Sequence, residues 1–432
     1  MDLLYDNLKN QNGSLYIAGA SVTKLAEKYG TPLMITDGDR LVKNCKQYND
    51  AIKAYFDGKA RACYASKAFC AKGLYKIVAA EGLGADAVSL GELKVMMAAG
   101  FPMDKVCFHG NAKSDEALRF AVINGVGHIV VDNEDELVAL NAIAAELNKV
   151  QSILLRVTPG IDPHTFEAVK TGKVDSKFGV AIQTGQALDL TKKAIAAKAV
   201  TLDGFHCHIG SQIFESKPFL DAAAVMMDYI GEVYKKTSYE IKVLDIGGGI
   251  GVRYVESDPV VSIDEVLCDT AKAIKEGAKR NGVFVPFIFF EPGRSLIADT
   301  TLTVYTVQSF KQIPGYKNYV AIDGGMPDNP RYALYRSSYT CVAADKLDDE
   351  RNYVCTVAGC CCESGDLIQE NVALPKMQRG DKLAVLTTGA YNYAMASNYN
   401  MIPLPEVVIL KAGKDEVLIR RETMDDILSK HN

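Results

Sequence analysis

RACYASK, residues 61–67, is a short β-rich run that ends on a lysine, and GADAVS (84–89) repeats the form about one helix later. Six more runs continue it: VCFHG (106–110), HIVVD (128–132), SILLRV (152–157), DGFHCHIG (203–210), VLDIGGG (243–249) and FIFFEPG (287–293). Stretches such as GELKVMMAAG and NEDELVALNAIAAELNKV lie between them, with apolar residues at three- and four-residue spacing, the period of an amphipathic helix. Strand–helix alternation predicts parallel strands joined by helical crossovers. Eight such units close a (β/α)8 barrel, for which about 250 residues is typical. The expected barrel spans 36–295.

Lys67, Asp86, His109, Arg156, His208, the glycines 247–249 and Glu291 fall at the C-terminal ends of these runs. Barrel enzymes build their sites on that face. After Arg294 the texture changes. TLTVYTVQSFKQI, NYVAIDGG, YVCTVAGCCC and DKLAVLTTGAY are β-branched and aromatic with turn residues between them, which predicts a mainly antiparallel β domain over 296–432. Residues 1–35 are expected to join that domain.

At 432 residues the chain exceeds one ordinary core, in keeping with two domains. Hydrophobic content of 48% with 23% charged residues is that of a globular protein. A net charge of −5 argues against a nucleic-acid partner. The 11 cysteines include no Cys-x-x-Cys pair; their tightest cluster is the run Cys360–Cys361–Cys362. No apolar stretch approaches the ~18 residues of a membrane span, and MDLLYDNLKN carries no signal pattern. A reducing cytoplasm is the expected setting.

Three consecutive glycines after the seventh run let the backbone approach a phosphate closely, or simply turn tightly. Strands seven and eight of a barrel are a frequent phosphate site. Glu291 and Arg294 in EPGR either pair with each other or divide two tasks, with Arg294 a phosphate ligand. Lys67 lies among small and apolar neighbours, where lost hydration favours an amine nucleophile. With a phosphate cradle on the same face, a Schiff base to a phosphorylated aldehyde is the economical reading. His206 and His208 alternate onto one face of a strand, as metal ligands do, yet no later run supplies a further histidine. One of them lying against a cofactor ring is preferred, with no metal.

YASKA, GADAVSLGEL, HGNAKS, TGKVDSKFG, HCHIGSQI, DIGGGIG, EPGRSLIA, CCESGD and TGAYNYAMASNYN, in this order across about 30–410, resemble segments of the alanine-racemase-like (fold type III) pyridoxal-phosphate enzymes, and within them the diaminopimelate decarboxylases. The resemblance implies a (β/α)8 barrel plus a β domain and pyridoxal 5'-phosphate on Lys67. It implies that Glu291 meets the pyridine nitrogen, that His208 stacks on the ring, and that Asp86 and Arg156 support the cofactor. Ser211, Gly248, Gly249, Arg294 and Tyr391 would serve its phosphate, with Arg294 and Tyr391 also reaching substrate. A homodimer with shared active sites is implied, in which Cys362 returns a proton and Glu363 holds the distal ammonium in the neighbouring subunit's site. Arg331 and Tyr335, in DNPRYALY, would bind a distal carboxylate, the group that separates meso-diaminopimelate from ornithine or lysine. The implied reaction makes L-lysine and CO2. Alternatives are a decarboxylase of carboxynorspermidine or a basic amino acid, a non-catalytic relative, and a metal-dependent hydrolase. Structural pairing of Arg331 with Asp328 is a rival to its substrate role.

The chain departs from the family pattern at Phe69, Ala112, Cys360, Cys361, Asn392 and MIPLP (401–405). The segment HTFEAVKTGKVDSKFG (164–179) is a candidate lid.

Overall fold

The structure is a computed structural model that describes residues 3–161 and 176–432. Its chain divides into two compact units. One comprises Asn44–Gly251 and Val260–Gly293; the other comprises the residues up to Lys43, Val252–Pro259 and Arg294–Asn432.

The first unit holds eight parallel strands: β1 (Ala60–Ala65), β2 (Gly84–Ala87), β3 (Val106–Phe108), β4 (His128–Val131), β5 (Gln151–Thr158), β6 (Val200–His206), β7 (Val243–Asp245) and β8 (Phe287–Phe290). Each pairs with the next, and β8 pairs with β1, so the sheet closes into a barrel. All eight runs quoted from the sequence become these strands. Cys63, Cys107, Val130, Leu154, Val243 and Phe289 pack together in its core.

The crossover helices start where cap chemistry tells them to. The side chains of Ser89, Ser114, Asn133 and Ser262 each accept the backbone N–H three residues on, a contribution of about 1 kcal/mol apiece. Gly100 and Gly282 end two of these helices in the left-handed conformation. In helix Glu134–Glu146, Leu137, Leu140, Ile143 and Ala144 form the buried stripe.

The second unit is a mainly antiparallel sheet. Its order is Leu367–Leu374, Tyr353–Ala358, Lys317–Ile322, Thr301–Ile313, Leu33–Asp37, Glu406–Lys411 and Lys414–Ile419, with Lys382–Val385 bridging Thr301–Ile313 and Cys341–Ala343. Leu33–Asp37 is buried throughout and lies between strands from the far end of the chain. The division between units therefore falls inside helix Gly38–Tyr55, beyond the expected residue 35. Val252–Pro259 also belongs to the sheet unit, an excursion that no periodicity announces. No described helix is long and apolar enough to cross a membrane.

Candidate active site

Within the barrel unit, titratable side chains converge where the strands end. Lys67 follows β1 on a short 3-10 turn, Ser66–Ala68. Its ammonium lies 4.0 Å from Asp86 Oδ2. Asp86, on β2, has no exposure and accepts the Ser66 N–H at 2.9 Å on its other oxygen. Burial raises the Asp86 carboxyl to about 6 against the pull of the Lys67 charge. The small residues around Lys67 are buried, yet its own side chain is 40% exposed. Lys67 thus keeps some solvent contact, where YASKA suggests desolvation.

Glu291, just after β8, is gripped from two directions. His109 Nε2 stands 2.6 Å from Oε1 and His206 Nε2 stands 3.3 Å from Oε2. The two imidazole rings meet edge to face, 4.8 Å apart at 72°. The His109 contact is short but misaligned, so both atoms keep hydrogen-bonding capacity. Burial works to raise the Glu291 carboxyl, but the two histidines outweigh it and hold it well below the usual range. Burial drives His206 down to about 3, hence neutral. Asp245, at the end of β7, is pushed well above its usual range by burial and by the Glu291 charge. Donor atoms of His109, His206, Asp245 and Glu291 all lie within 4.8 Å of one another.

The His-x-His pair does not act as one unit. His206 is the last residue of β6 and faces Glu291. His208 lies beyond the strand end, is pushed below its usual range by burial, and accepts the Gly248 N–H at 3.3 Å. The second histidine at Glu291 is His109, from an earlier strand rather than a later one. Gly248 permits this closeness: a Cβ there would stand 2.0 Å from the Glu291 carbonyl oxygen. At Gly249, with φ +121°, a Cβ would stand 2.4 Å from the carbonyl oxygen of Gly210, next to Ser211. Arg156 on β5 lies 4.4 Å over the Phe178 ring and feels the charges of Asp132 and Glu291. Asp132 accepts the Gly179 N–H at 3.0 Å; its place at the end of HIVVD was the available signal. The candidate lid falls mainly in 162–175, outside the described residues.

The sheet unit gathers a different set. Arg331 is 7% exposed; it donates to Ser337 Oγ at 3.4 Å, and its Nε has no partner. It stacks on Tyr335 at 5.2 Å and Tyr391 at 5.4 Å. Among the described residues no carboxylate lies within ion-pair distance of it. Asp328 is instead occupied by Tyr305 and by the Gly325 N–H. Arg294 stacks on the same Tyr391 ring at 4.8 Å and donates to Tyr254 Oη at 2.6 Å. Tyr254 meets Tyr339 edge to face, and Tyr339 donates to Asn392 Oδ1 at 3.1 Å. Sequence reasoning missed Tyr254 and Tyr339, which sit in no recognisable motif.

Asn392 needs no glycine in its place. The positive φ of this turn, +63°, belongs to Tyr391, while Asn392 has φ −96° and is fully buried. Cys362 is exposed and donates its backbone N–H to Asn400 Oδ1 at 3.0 Å. Glu363 is exposed and accepts the Gly365 N–H at 3.1 Å.

Residues 39–298 match the family described as pyridoxal-dependent decarboxylase, pyridoxal binding domain, and 233–389 match its C-terminal sheet domain. The chain is 43% identical over 421 residues to the diaminopimelate decarboxylase of Bacillus subtilis (strain 168), covering 97% of this chain and 95% of that one. It is 42% identical over 418 residues to the diaminopimelate decarboxylase of Bacillus methanolicus, covering 96% of each. The solved structure of M. jannaschii diaminopimelate decarboxylase in co-complex with L-lysine superposes with TM-score 0.91 at 31% identity, covering 99% of this chain and 98% of that one. The donor set at the barrel's strand ends fits the cofactor this family uses. It offers an accessible primary amine, an ionised buried carboxylate with spare capacity for an N–H, and a second buried acceptor, Asp86 Oδ2, without a hydrogen-bond partner. The chain belongs to the pyridoxal-dependent decarboxylases, whose cofactor is pyridoxal phosphate, and within them to the diaminopimelate decarboxylase family.

Proposed function

We propose that the chain decarboxylates meso-2,6-diaminopimelate to L-lysine and CO2, the last step of lysine biosynthesis. The observation that carries this substrate is Arg331. A buried guanidinium without a carboxylate partner is costly unless a ligand supplies one. Its planar fork suits a carboxylate, and its neighbours Tyr335 and Tyr391 fix its plane. Ornithine and lysine lack a distal carboxylate to meet it.

When bound, pyridoxal phosphate supplies the electron sink that accepts the pair left by departing CO2. Lys67 would hold the cofactor, and Asp86 would keep a negative charge beside that amine. Glu291 would take the pyridine N–H, and its low carboxyl pKa keeps that nitrogen protonated. His208, half-buried and accepting the Gly248 N–H, would stack on the ring. Gly248, Gly249, Ser211, Arg294 and Tyr391 would serve the phosphate, and Arg156, which feels the charges of Asp132 and Glu291, would support the cofactor. Cys362 would return a proton, and Glu363 would hold the distal ammonium. Both are exposed on the sheet unit, which accords with a role in a partner's site and hence with a homodimer.

Steady-state rates with diaminopimelate, lysine, ornithine and carboxynorspermidine test the proposal. Diaminopimelate is expected to lead by orders of magnitude in kcat/KM. No CO2 from diaminopimelate, with release from one of the others, would reject it.

A further inference from the structure

We propose that His109 is a positioning residue: its imidazole holds the Glu291 carboxylate in the one orientation from which it can serve a ring nitrogen. The inference rests on the assignment of Glu291 to that nitrogen and adds a residue to which the sequence reading gave no task.

A carboxylate on two rotatable bonds does not aim itself. Here each oxygen has its own imidazole, at 2.6 and 3.3 Å, and the 72° between the rings opposes rotation of the carboxylate in either sense. His109 is itself fixed. It is 4% exposed, and its backbone donates to Ala87 O at 2.7 Å. The loop it opens is latched by Lys113, whose side chain is 1% exposed. Its ammonium reaches Gly110 O at 2.7 Å, Val130 O at 2.8 Å and Glu136 at 2.6 Å. A buried ammonium with three acceptors is a rigid tie, far stronger than a surface pair.

The clamp also decides which acid carries the charge. Asp245 presents an oxygen within 4.8 Å of Glu291, and two carboxylates so close cannot both ionise readily. Two imidazoles stand against Glu291, one of them hydrogen-bonded to it, while Asp245 Oδ2 meets no donor, which puts the charge on Glu291. Asp86 and Arg156 lie near enough to modulate the balance without touching Glu291.

His109→Leu removes the donor. His109→Gln keeps an N–H where imidazole Nε2 stands. In the holoenzyme, His109→Leu is expected to lower kcat on the order of 100-fold, the cost of roughly 1 Å of misplacement, with KM little changed. His109→Gln should recover most of that loss. Independently of turnover, 15N-histidine NMR of the full chain should show, besides the imidazole signals of His206 and His128, which also face carboxylates, a His109 N–H shifted downfield by Glu291. The signal should vanish in both His109→Leu and Glu291→Gln. Wild-type kcat in His109→Leu beside a crippled Glu291→Gln would overturn the inference and leave the Glu291 assignment standing. Equal loss in the Gln and Leu variants would also overturn it, as would the absence of that resonance in the wild type, a test that holds even if His109→Leu does not fold. An unimpaired Glu291→Gln would remove the Glu291 assignment and the inference together.

Discussion

The strand ends of the barrel and the tyrosine-lined cluster of the sheet unit solve opposite electrostatic problems. In the barrel, polar groups answer one another: Glu291 with two imidazoles, Asp86 with Lys67, Lys113 with Glu136. The negative groups that keep spare capacity, Asp86 Oδ2 and Glu291 Oε1, call for a cation or an N–H. In the sheet unit, Arg294 and Arg331 share the face of Tyr391, and Arg331 has no acid beside it. Tyrosine faces accept guanidinium groups through their quadrupole without neutralising them. One region leaves acceptors open and the other leaves a guanidinium without an acid.

Removing the barrel's amine is the harshest way to break this contrast. Lys67→Ala should abolish nearly all turnover and the visible absorption of the bound cofactor, read on the purified protein. Normal activity would refute the barrel's assigned task. The sheet unit's share is smaller and of another kind. Arg331→Ala should cost about 2 kcal/mol of diaminopimelate binding, roughly 30-fold in KM, and narrow the preference over lysine. An unchanged KM would place the distal carboxylate elsewhere.

A third test uses pH on Asp328, the buried acid held by Tyr305 and the Gly325 N–H. Burial pushes the Asp328 carboxyl up to about 7, so the folded chain holds a proton that the unfolded chain releases near pH 4. The folded state binds more protons in that window, and stability falls as pH rises from about 4 to about 7. Thermal melting at pH 5 and pH 8 should show a decline in the wild type that Asp328→Asn flattens, worth at most a few kcal/mol. Parallel curves would contradict it. Least of all, Asn392→Gly should cost about 1 kcal/mol, for the lost Tyr339 hydrogen bond, with KM for diaminopimelate up less than in Arg331→Ala. A KM effect as large as that of Arg331→Ala would make Asn392 a direct ligand.

Much of the barrel was legible because its strand runs recur at helix-length spacing and end in polar or glycine residues. The place of Leu33–Asp37 was not: LMITD is apolar and buried on both faces like a barrel strand, and only its pairing with Thr301–Val304 and Glu406–Leu410 assigns it to the sheet. Candidate site residues could be named from sequence where a motif carried them, as with Lys67, Glu291 and Arg331. The grip of His109 on Glu291 was hidden because closing the barrel, not local sequence, brings β3 and β8 strand ends together. Tyr254 was hidden for the same reason, in the excursion Val252–Pro259 that periodicity does not mark.

The most direct measurement is borohydride reduction of the holoenzyme followed by peptide mass analysis, on a sample shown to release CO2 and L-lysine from meso-diaminopimelate. The pyridoxyl group is predicted on the peptide carrying Lys67. Its attachment to any other lysine, or an active enzyme with none attached, would contradict the account from its centre outward.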